Sequence, residues 1–181
     1  MVSEAVVRKV IGVDGAEALI EITGGAWQDY VDEAVTRYHR STRANVVWDY
    51  MAKRSDAALA DWDGVRREES HGRPMYVLRD RLLLRPKLHT RDATTRNYPT
   101  GAQRNVDRTG LFPQFTYDVI SFGYLLDKAE ADIELFVASC PADSWVINLQ
   151  ELANGDLNPA TPLLPGMEED LTRVESIRRG V

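Results

Sequence analysis

Three histidines are candidates for acid–base catalysis without a metal. His39 and His89 each lie among basic residues, whereas His71 is followed by a glycine. An imidazole with a pKa near neutrality can accept and release protons, while neighbouring cations stabilise the negative charge that builds up at a phosphate during ribonucleolytic cleavage. A surface or structural role is the alternative, and it is the commoner use of single histidines. The basic neighbours are Arg37, Arg40 and Arg43 around His39, and Arg85, Lys87 and Arg91 around His89.

The motifs of metal-dependent and nucleotide-dependent enzymes are absent from the sequence. It contains no Gly-rich phosphate loop, GxSxG elbow, HExxH pair or CxxC pair. The acids Asp127, Asp132 and Glu134 cluster near a predicted hairpin end, where solvated side chains are commoner than cation ligands. The sequence therefore predicts neither a metal site nor a cofactor.

Size and composition favour a single domain inside the cell. The 181 residues are 44% apolar, which is enough for a hydrophobic core. The chain has one cysteine, it does not open with a signal-peptide pattern, and no apolar run reaches the roughly 18 residues that span a bilayer. These features predict a cytoplasmic protein without a membrane span.

Charge is distributed unevenly along the chain. The net charge is −6, yet residues 66–108 hold 11 Lys or Arg against 5 Asp or Glu. A basic segment can bind nucleic acid through its phosphates, so nucleic acid is one candidate partner for residues 66–108. The alternative is that these charges face solvent or pair with acids of the same molecule.

Helical spacing dominates the first third of the chain. The first two dozen residues predict a hairpin or a short helix, and Gly24-Gly25 predicts a break. Apolar residues then recur with the period of one helix face from Trp27 to Tyr38, and again from Ala44 to Met51 after a cap at Ser41-Thr42. The pattern predicts a helical hairpin with its bend near residues 39–41.

Strand-like runs follow the helices. After Gly64, residues 65–70, 75–78 and 82–85 predict three strands, and FTYDVISFGYLL, ADIELFVASC and SWVINL predict an antiparallel meander of three more. The predicted fold class is α+β: an antiparallel sheet of about five or six strands, with the N-terminal helical hairpin packed on one face and a helical tail at the C-terminus.

The predicted domain organisation has three parts. Residues 1–153 form a single α+β domain. Residues 154–166 are rich in proline and glycine and predict a linker. Residues 167–181 have an amphipathic pattern and predict a C-terminal helix, which docks either on this domain or on a partner.

Five segments between Tyr38 and Leu149 resemble a bacterial and phage protein family in their order and spacing. The family is typically encoded beside a helix-turn-helix protein fused to an ImmA/IrrE-type metallopeptidase, an arrangement similar to the RosmerTA-like toxin–antitoxin modules of phage defence. A departure from the family pattern is Pro86, where a second basic residue is usual. The segments are TRAN at 42–45 with WD at 48–49, LRPKL at 84–88, NYPT at 97–100, GYLLD at 123–127 and WVI at 145–147.

The resemblance implies a function, a partner and a site. It implies that this chain is the toxin and that the helix-turn-helix metallopeptidase protein is its cognate antitoxin. Candidate residues are then expected to meet in a polar cleft between the second helix and the sheet. The alternative is that Arg85 and Asp49 form an ion pair with a purely structural role. Candidates for catalysis are Arg43, Asp49, Arg85 and Lys87, and candidates for binding are Asn45, Tyr98, Arg91 and Arg96.

Two other functions remain open from the sequence. One is a binding module without enzymatic activity, either an antitoxin or an accessory protein that binds nucleic acid or protein. The other is a phage structural or accessory protein in which the C-terminal helix serves assembly. Toxicity on expression separates the toxin from both alternatives.

Overall fold

A computed structural model describes residues 2–33, 38–60, 62–70, 72–90, 116–140, 142–143 and 145–156. Two long helices come first, six strands follow, and a short helix ends the described chain. The predicted α+β class and number of strands are confirmed. The elements are α1 (Glu4–Glu33), α2 (Arg40–Ala58), β1 (Val65–Ser70), β2 (Arg73–Leu78), β3 (Leu82–Leu88), β4 (Asp118–Leu126), β5 (Ile133–Cys140), β6 (Trp145–Asn148) and α3 (Leu149–Ala153).

Helix α1 is longer than the sequence predicts. It begins at Glu4 and has a kink at Gly12, where the backbone is not helical (φ 67°, ψ −175°). The part after the kink passes through Gly24 and Gly25, so the break predicted there is wrong. The glycines permit close packing: a Cβ on Gly25 would lie 2.3 Å from a guanidinium nitrogen of Arg54, and one on Gly24 would lie 3.4 Å from the ring of Phe136. A residue type that normally weakens a helix is tolerated here because α2 and β5 approach the backbone.

The two long helices form the predicted hairpin, although its cap differs from the prediction. Helix α2 begins at Arg40, and the His39 side chain accepts a hydrogen bond from the Ser41 amide, so His39 and not Ser41 is the N-cap. Arg54 on α2 binds Asp29 on α1 through two hydrogen bonds of 2.7 and 2.8 Å. The guanidinium lowers the pKa of the Asp29 carboxyl, so this pair joins the helices at neutral pH.

The sheet has its strands in sequence order, β1 to β6, and one pair departs from the predicted antiparallel arrangement. Strands β3 and β4 run parallel, with Leu82 aligned to Asp118 and Leu88 to Tyr124. Parallel neighbours require a crossover of a dozen residues or more, and the long connection from Leu88 to Asp118 meets that requirement. The predicted hairpin of β1 with β2 and the meander β4–β5–β6 are antiparallel as expected.

The two faces of the sheet are covered differently. All three helices contact the face that carries Leu84, Phe122 and Ile147, and the main core lies there. We call this the helix face. A smaller buried cluster lies on the opposite face, which we call the second face. It consists of Met75, Val77, Leu83 and Val119, with Tyr117 packed against it.

The described helices contain no stretch that is long and apolar enough to cross a bilayer. The predicted linker begins within the described chain, which ends at Asp156. The rest of that linker and the predicted C-terminal helix, residues 167–181, lie outside the described residues.

Candidate functional site

A row of polar side chains crosses the three central strands on the second face. Arg85 on β3 is aligned with Ser121 on β4, and Ser121 is aligned with Ser139 on β5. Directly paired residues project from the same face of a sheet. Since the adjacent residues Leu84 and Phe122 belong to the helix-face core, the aligned row projects to the other side. Together with Lys87 and His89 it forms what we call the polar row: Arg85, Lys87, His89, Ser121 and Ser139.

His89 reaches across β4 to the next strand. Its Nε2 lies 3.0 Å from Oγ of Ser139, and both side chains are buried, with 3% and 0% of their surfaces exposed. Strand β4 lies between the two residues, and Gly123 occupies its second-face position beside Lys87. The imidazole of His89 therefore crosses β4 to reach Ser139.

Gly123 cannot be replaced without moving the backbone. A Cβ at this position would lie 1.9 Å from the carbonyl oxygen of Lys87, and φ of Gly123 is +155°. Backbone atoms cannot rotate away as a side chain does. The glycine therefore fixes the close approach of β3 and β4 at the polar row.

Burial keeps the His89 imidazole neutral. The pKa of His89 is lowered to about 4, chiefly by burial; the backbone groups of Lys87 and Ser121 oppose the shift, and the nearby charge of Lys87 contributes to it. At neutral pH one ring nitrogen therefore carries no proton and can accept the Ser139 hydroxyl. Within the described residues, Nδ1 of His89 makes no hydrogen bond of ordinary geometry.

A cavity of about 290 Å³ lies beside the polar row, at the end of β3 and the turn between β4 and β5. His89 links it to the row, because this residue lines the cavity and also binds Ser139. Charged residues of both signs lie around the turn. The lining residues are Leu88, His89, Thr90, Leu125, Leu126, Asp127, Lys128 and Glu130.

Arg43 is held by contacts with other parts of the fold. Its guanidinium binds Oε2 of Glu130 at 2.7 Å and the Glu130 backbone oxygen at 2.8 Å, and it lies over the Trp27 ring at 5.9 Å. Both charged side chains are largely buried, 14% and 13% exposed. These contacts attach the start of α2 to the β4–β5 turn.

The remaining helix candidates lie on the surface of α2. Asn45 and Asp49 are exposed, and Asp49 forms no ion pair within the described chain, which excludes a pair with Arg85 there. Asn45 lines a narrow pocket of about 60 Å³ whose wall includes Trp48, with Arg73 stacked 5.6 Å above the indole. Lys87 also lines this pocket.

The candidates therefore do not converge as expected. Asn45 and Lys87 share the narrow pocket, whereas Arg43, Asp49 and Arg85 are not among its described lining residues. The physical reason is strand alternation: Leu84, Pro86 and Leu88 take the positions facing the helices, so Arg85 and Lys87 project to the second face. Arg91, Arg96 and Tyr98 lie outside the described residues, as does His71.

Sequence reasoning missed Ser121 and Ser139, and it identified Gly123 only as part of the segment GYLLD. The two serines lie in apolar strand runs, VISFGYLL and LFVASC, in which a serine has no evident purpose. The only sequence signal for these positions was the presence of small residues in strands made otherwise of bulky ones. The alignment of β3 with β4 was also needed, and no local pattern provides it.

Two further expectations concern metals and nucleic acid. Within the described residues, no group of three or more His, Cys, Asp or Glu side chains could hold a metal ion. Arg66 pairs with Glu68 and contacts the Tyr117 hydroxyl, and Arg67 pairs with Asp56 and Glu69. These two arginines of the basic segment are thus engaged within the molecule.

Fold and site together define a class: an α+β chain with a mixed sheet, helices on one face and a buried polar row on the other. Comparison of the chain with protein-family models, with curated proteins and with solved structures finds no match.

Proposed function

We propose that this chain is the toxin component of a phage-defence toxin–antitoxin module, and that a helix-turn-helix protein fused to an ImmA/IrrE-type metallopeptidase neutralises it in the cytoplasm. The observation that carries the proposal is the polar row. Lys87 is 5% exposed and His89 3% exposed on a sheet face where apolar residues would pack at lower cost. Buried polar groups with shifted pKa values are concentrated at functional sites.

The positions of the segments that carry the family resemblance also support the proposal, because several of them lie near the polar row. The segments 84–88 and 123–127 lie on the neighbouring strands β3 and β4, and Lys87 is aligned with Gly123. Segment 42–45 includes Arg43, which binds the turn just beyond β4. Residues that are distant in sequence thus surround one part of the sheet.

Inducible expression tests the proposal. The chain is expressed alone and then with the gene beside it, and growth is followed. We expect inhibition by the chain alone and relief by its neighbour. A soluble, folded chain that leaves growth unchanged would exclude the toxin.

Two lysine variants then test the polar row. Lys87→Ala should abolish inhibition, whereas Lys53→Ala should not, because Lys53 lies over the Tyr50 ring on the outer surface of α2. Arg43→Ala should reduce stability before it reduces toxicity, since Arg43 is engaged with Glu130. A folded Lys87→Ala protein that still inhibits growth would remove the row from the mechanism.

The binding module is less well supported by the described residues. Nucleic-acid binding through residues 66–108 predicts an affinity that falls steeply with salt, yet Arg66 and Arg67 already have acidic partners. Association with DNA or RNA in a chain that does not inhibit growth would favour the binding module over the toxin.

A further inference from the structure

Ser139 and His89 have the geometry of a nucleophile and its base. Oγ and Nε2 are 3.0 Å apart, within the 2.6–3.2 Å range that proton transfer between such groups requires. The residues come from different strands, β5 and the end of β3. Their contact is therefore a product of the sheet and not of local sequence.

The arrangement of the ring favours proton transfer from the serine. Nε2 faces the hydroxyl, and the backbone of Lys87 and Ser121 lies near the ring. In the neutral tautomer that carries its proton on Nδ1, Nε2 has the lone pair that accepts the Ser139 hydrogen.

The charge of this face indicates the kind of substrate. Arg85 is aligned with Ser121 in the row that ends at Ser139, and the Lys87 charge acts on His89. Positive side chains beside a nucleophile stabilise the equatorial oxygens of a phosphoryl group during transfer. A neutral acyl group would gain less from two cations.

We propose that Ser139 is a nucleophile that attacks the phosphorus of a phosphate ester or anhydride, with His89 as its general base. The Ser139 oxygen forms a bond to phosphorus while the bond to the leaving oxygen breaks. The hydroxyl proton moves to Nε2 of His89 and then to the leaving oxygen. The products are a phosphorylated Ser139 and an alcohol or a shorter phosphate, so no electrons are exchanged.

The bound substrate would also change the pKa of His89. An anionic phosphoryl group beside His89 offsets the Lys87 charge and favours the protonated imidazole, which raises the pKa of His89 from its low value. Both side chains are buried, and His89 lines the cavity of about 290 Å³, so we expect substrate to approach Ser139 from that cavity. The labelling rate then depends on access to a buried hydroxyl as well as on chemistry.

A fluorophosphonate probe tests the nucleophile, because it phosphonylates activated serines. The full-length chain is incubated with the probe, the intact mass is measured, and the modified peptide is mapped. We expect one adduct, on Ser139. Mapping in the unaltered chain keeps the test valid even if a Ser139 variant does not fold.

Three variants separate activation from simple exposure. Ser139→Ala should lose the adduct, and His89→Gln should slow labelling by about 100-fold or more, as expected for removal of a general base. Ser55→Ala is the matched control, since Ser55 is as fully buried as Ser139 but lies on α2 outside the polar row, and the labelling rate of this variant should be unchanged. Thermal unfolding of each variant verifies the fold.

Other outcomes would overturn the proposal. These are no adduct on the folded chain, an adduct on another serine, or labelling of His89→Gln at the original rate. Competition separates the substrate class: a nucleoside triphosphate should slow labelling of Ser139, and protection by an uncharged ester instead would exclude the phosphoryl substrate. None of these results depends on whether the chain inhibits growth.

Discussion

The two faces of the central sheet are buried to a similar extent by very different side chains. Along β3 the helix face carries Leu82, Leu84, Pro86 and Leu88, whereas the second face changes from Leu83 to Arg85, Lys87 and His89. The helix face is what a two-layer α+β domain needs for stability. The second face begins as such a core and then becomes polar within one strand.

The two faces differ in what their buried side chains require. Burying a polar group is favourable only when its hydrogen bonds are replaced, and an apolar row of the same shape would avoid that requirement. The His89–Ser139 contact replaces one such bond, at 3.0 Å. The polar row therefore depends on hydrogen bonds such as this one, which the apolar side chains of the helix face do not need.

The largest expected effect concerns the close approach of β3 and β4. Gly123→Ala places a methyl group 1.9 Å from the Lys87 carbonyl oxygen, and we expect the free energy of unfolding to fall by about 4 kcal/mol or more. Gly72→Ala is the control: its φ is +71° with nothing within 4 Å, so it should cost only about 1 kcal/mol. Urea denaturation measures both. Equal effects would mean that the contact with Lys87 is not rigid.

Adjacent leucines compare the two faces directly. Leu84 is buried in the large core and Leu83 in the small cluster, both 0% exposed. We expect Leu84→Ala to reduce the free energy of unfolding by about 4 kcal/mol and Leu83→Ala by about 2 kcal/mol, because the smaller cluster can collapse more readily around the cavity. A loss below about 1 kcal/mol for Leu83→Ala would show that the second face is not a packed core.

Lowering the pH should reduce the free energy of unfolding through His89 on the second face. Its pKa is about 4 in the folded chain, against the ordinary 6.5, so between these values the unfolded chain binds a proton that the folded chain does not. Stability is therefore complete above about pH 6.5 and falls as the pH approaches 4, by on the order of 3 kcal/mol at most. His89→Gln should remove this part of the acid dependence in urea titrations between pH 7.5 and 4, while the part due to carboxylates remains. An unchanged profile would contradict a neutral buried imidazole.

Much of the fold could be predicted because it is local. The strands of the β4–β5–β6 meander and the helical hairpin follow from alternation, helical spacing and turn residues. The break at Gly24 and Gly25 was predicted wrongly, because local propensity does not include the packing of Arg54 and Phe136 against those glycines. At the end of β5, Val137, Ala138, Ser139 and Cys140 are all buried, since a central strand is covered on both faces.

The candidate site could be predicted only in part. The basic residues Arg85 and Lys87 were identified as candidates from the sequence, and both lie on β3. Which residues face α2 depends on where the helices pack, and the pocket between α2 and the sheet includes only Asn45 and Lys87 among the described candidates. Ser139 lies 50 residues from His89, and no spacing rule connects them.

By itself, the sequence determined which segments are helical or extended, since side-chain periodicity acts over a few residues. Only the tertiary structure decided that β3 and β4 run parallel, that Gly123 meets the Lys87 carbonyl, and that His89 crosses β4 to reach Ser139. Such contacts join residues that are far apart along the chain, and their geometry follows from strand order and register. A chemical site of this kind exists only after the sheet has assembled.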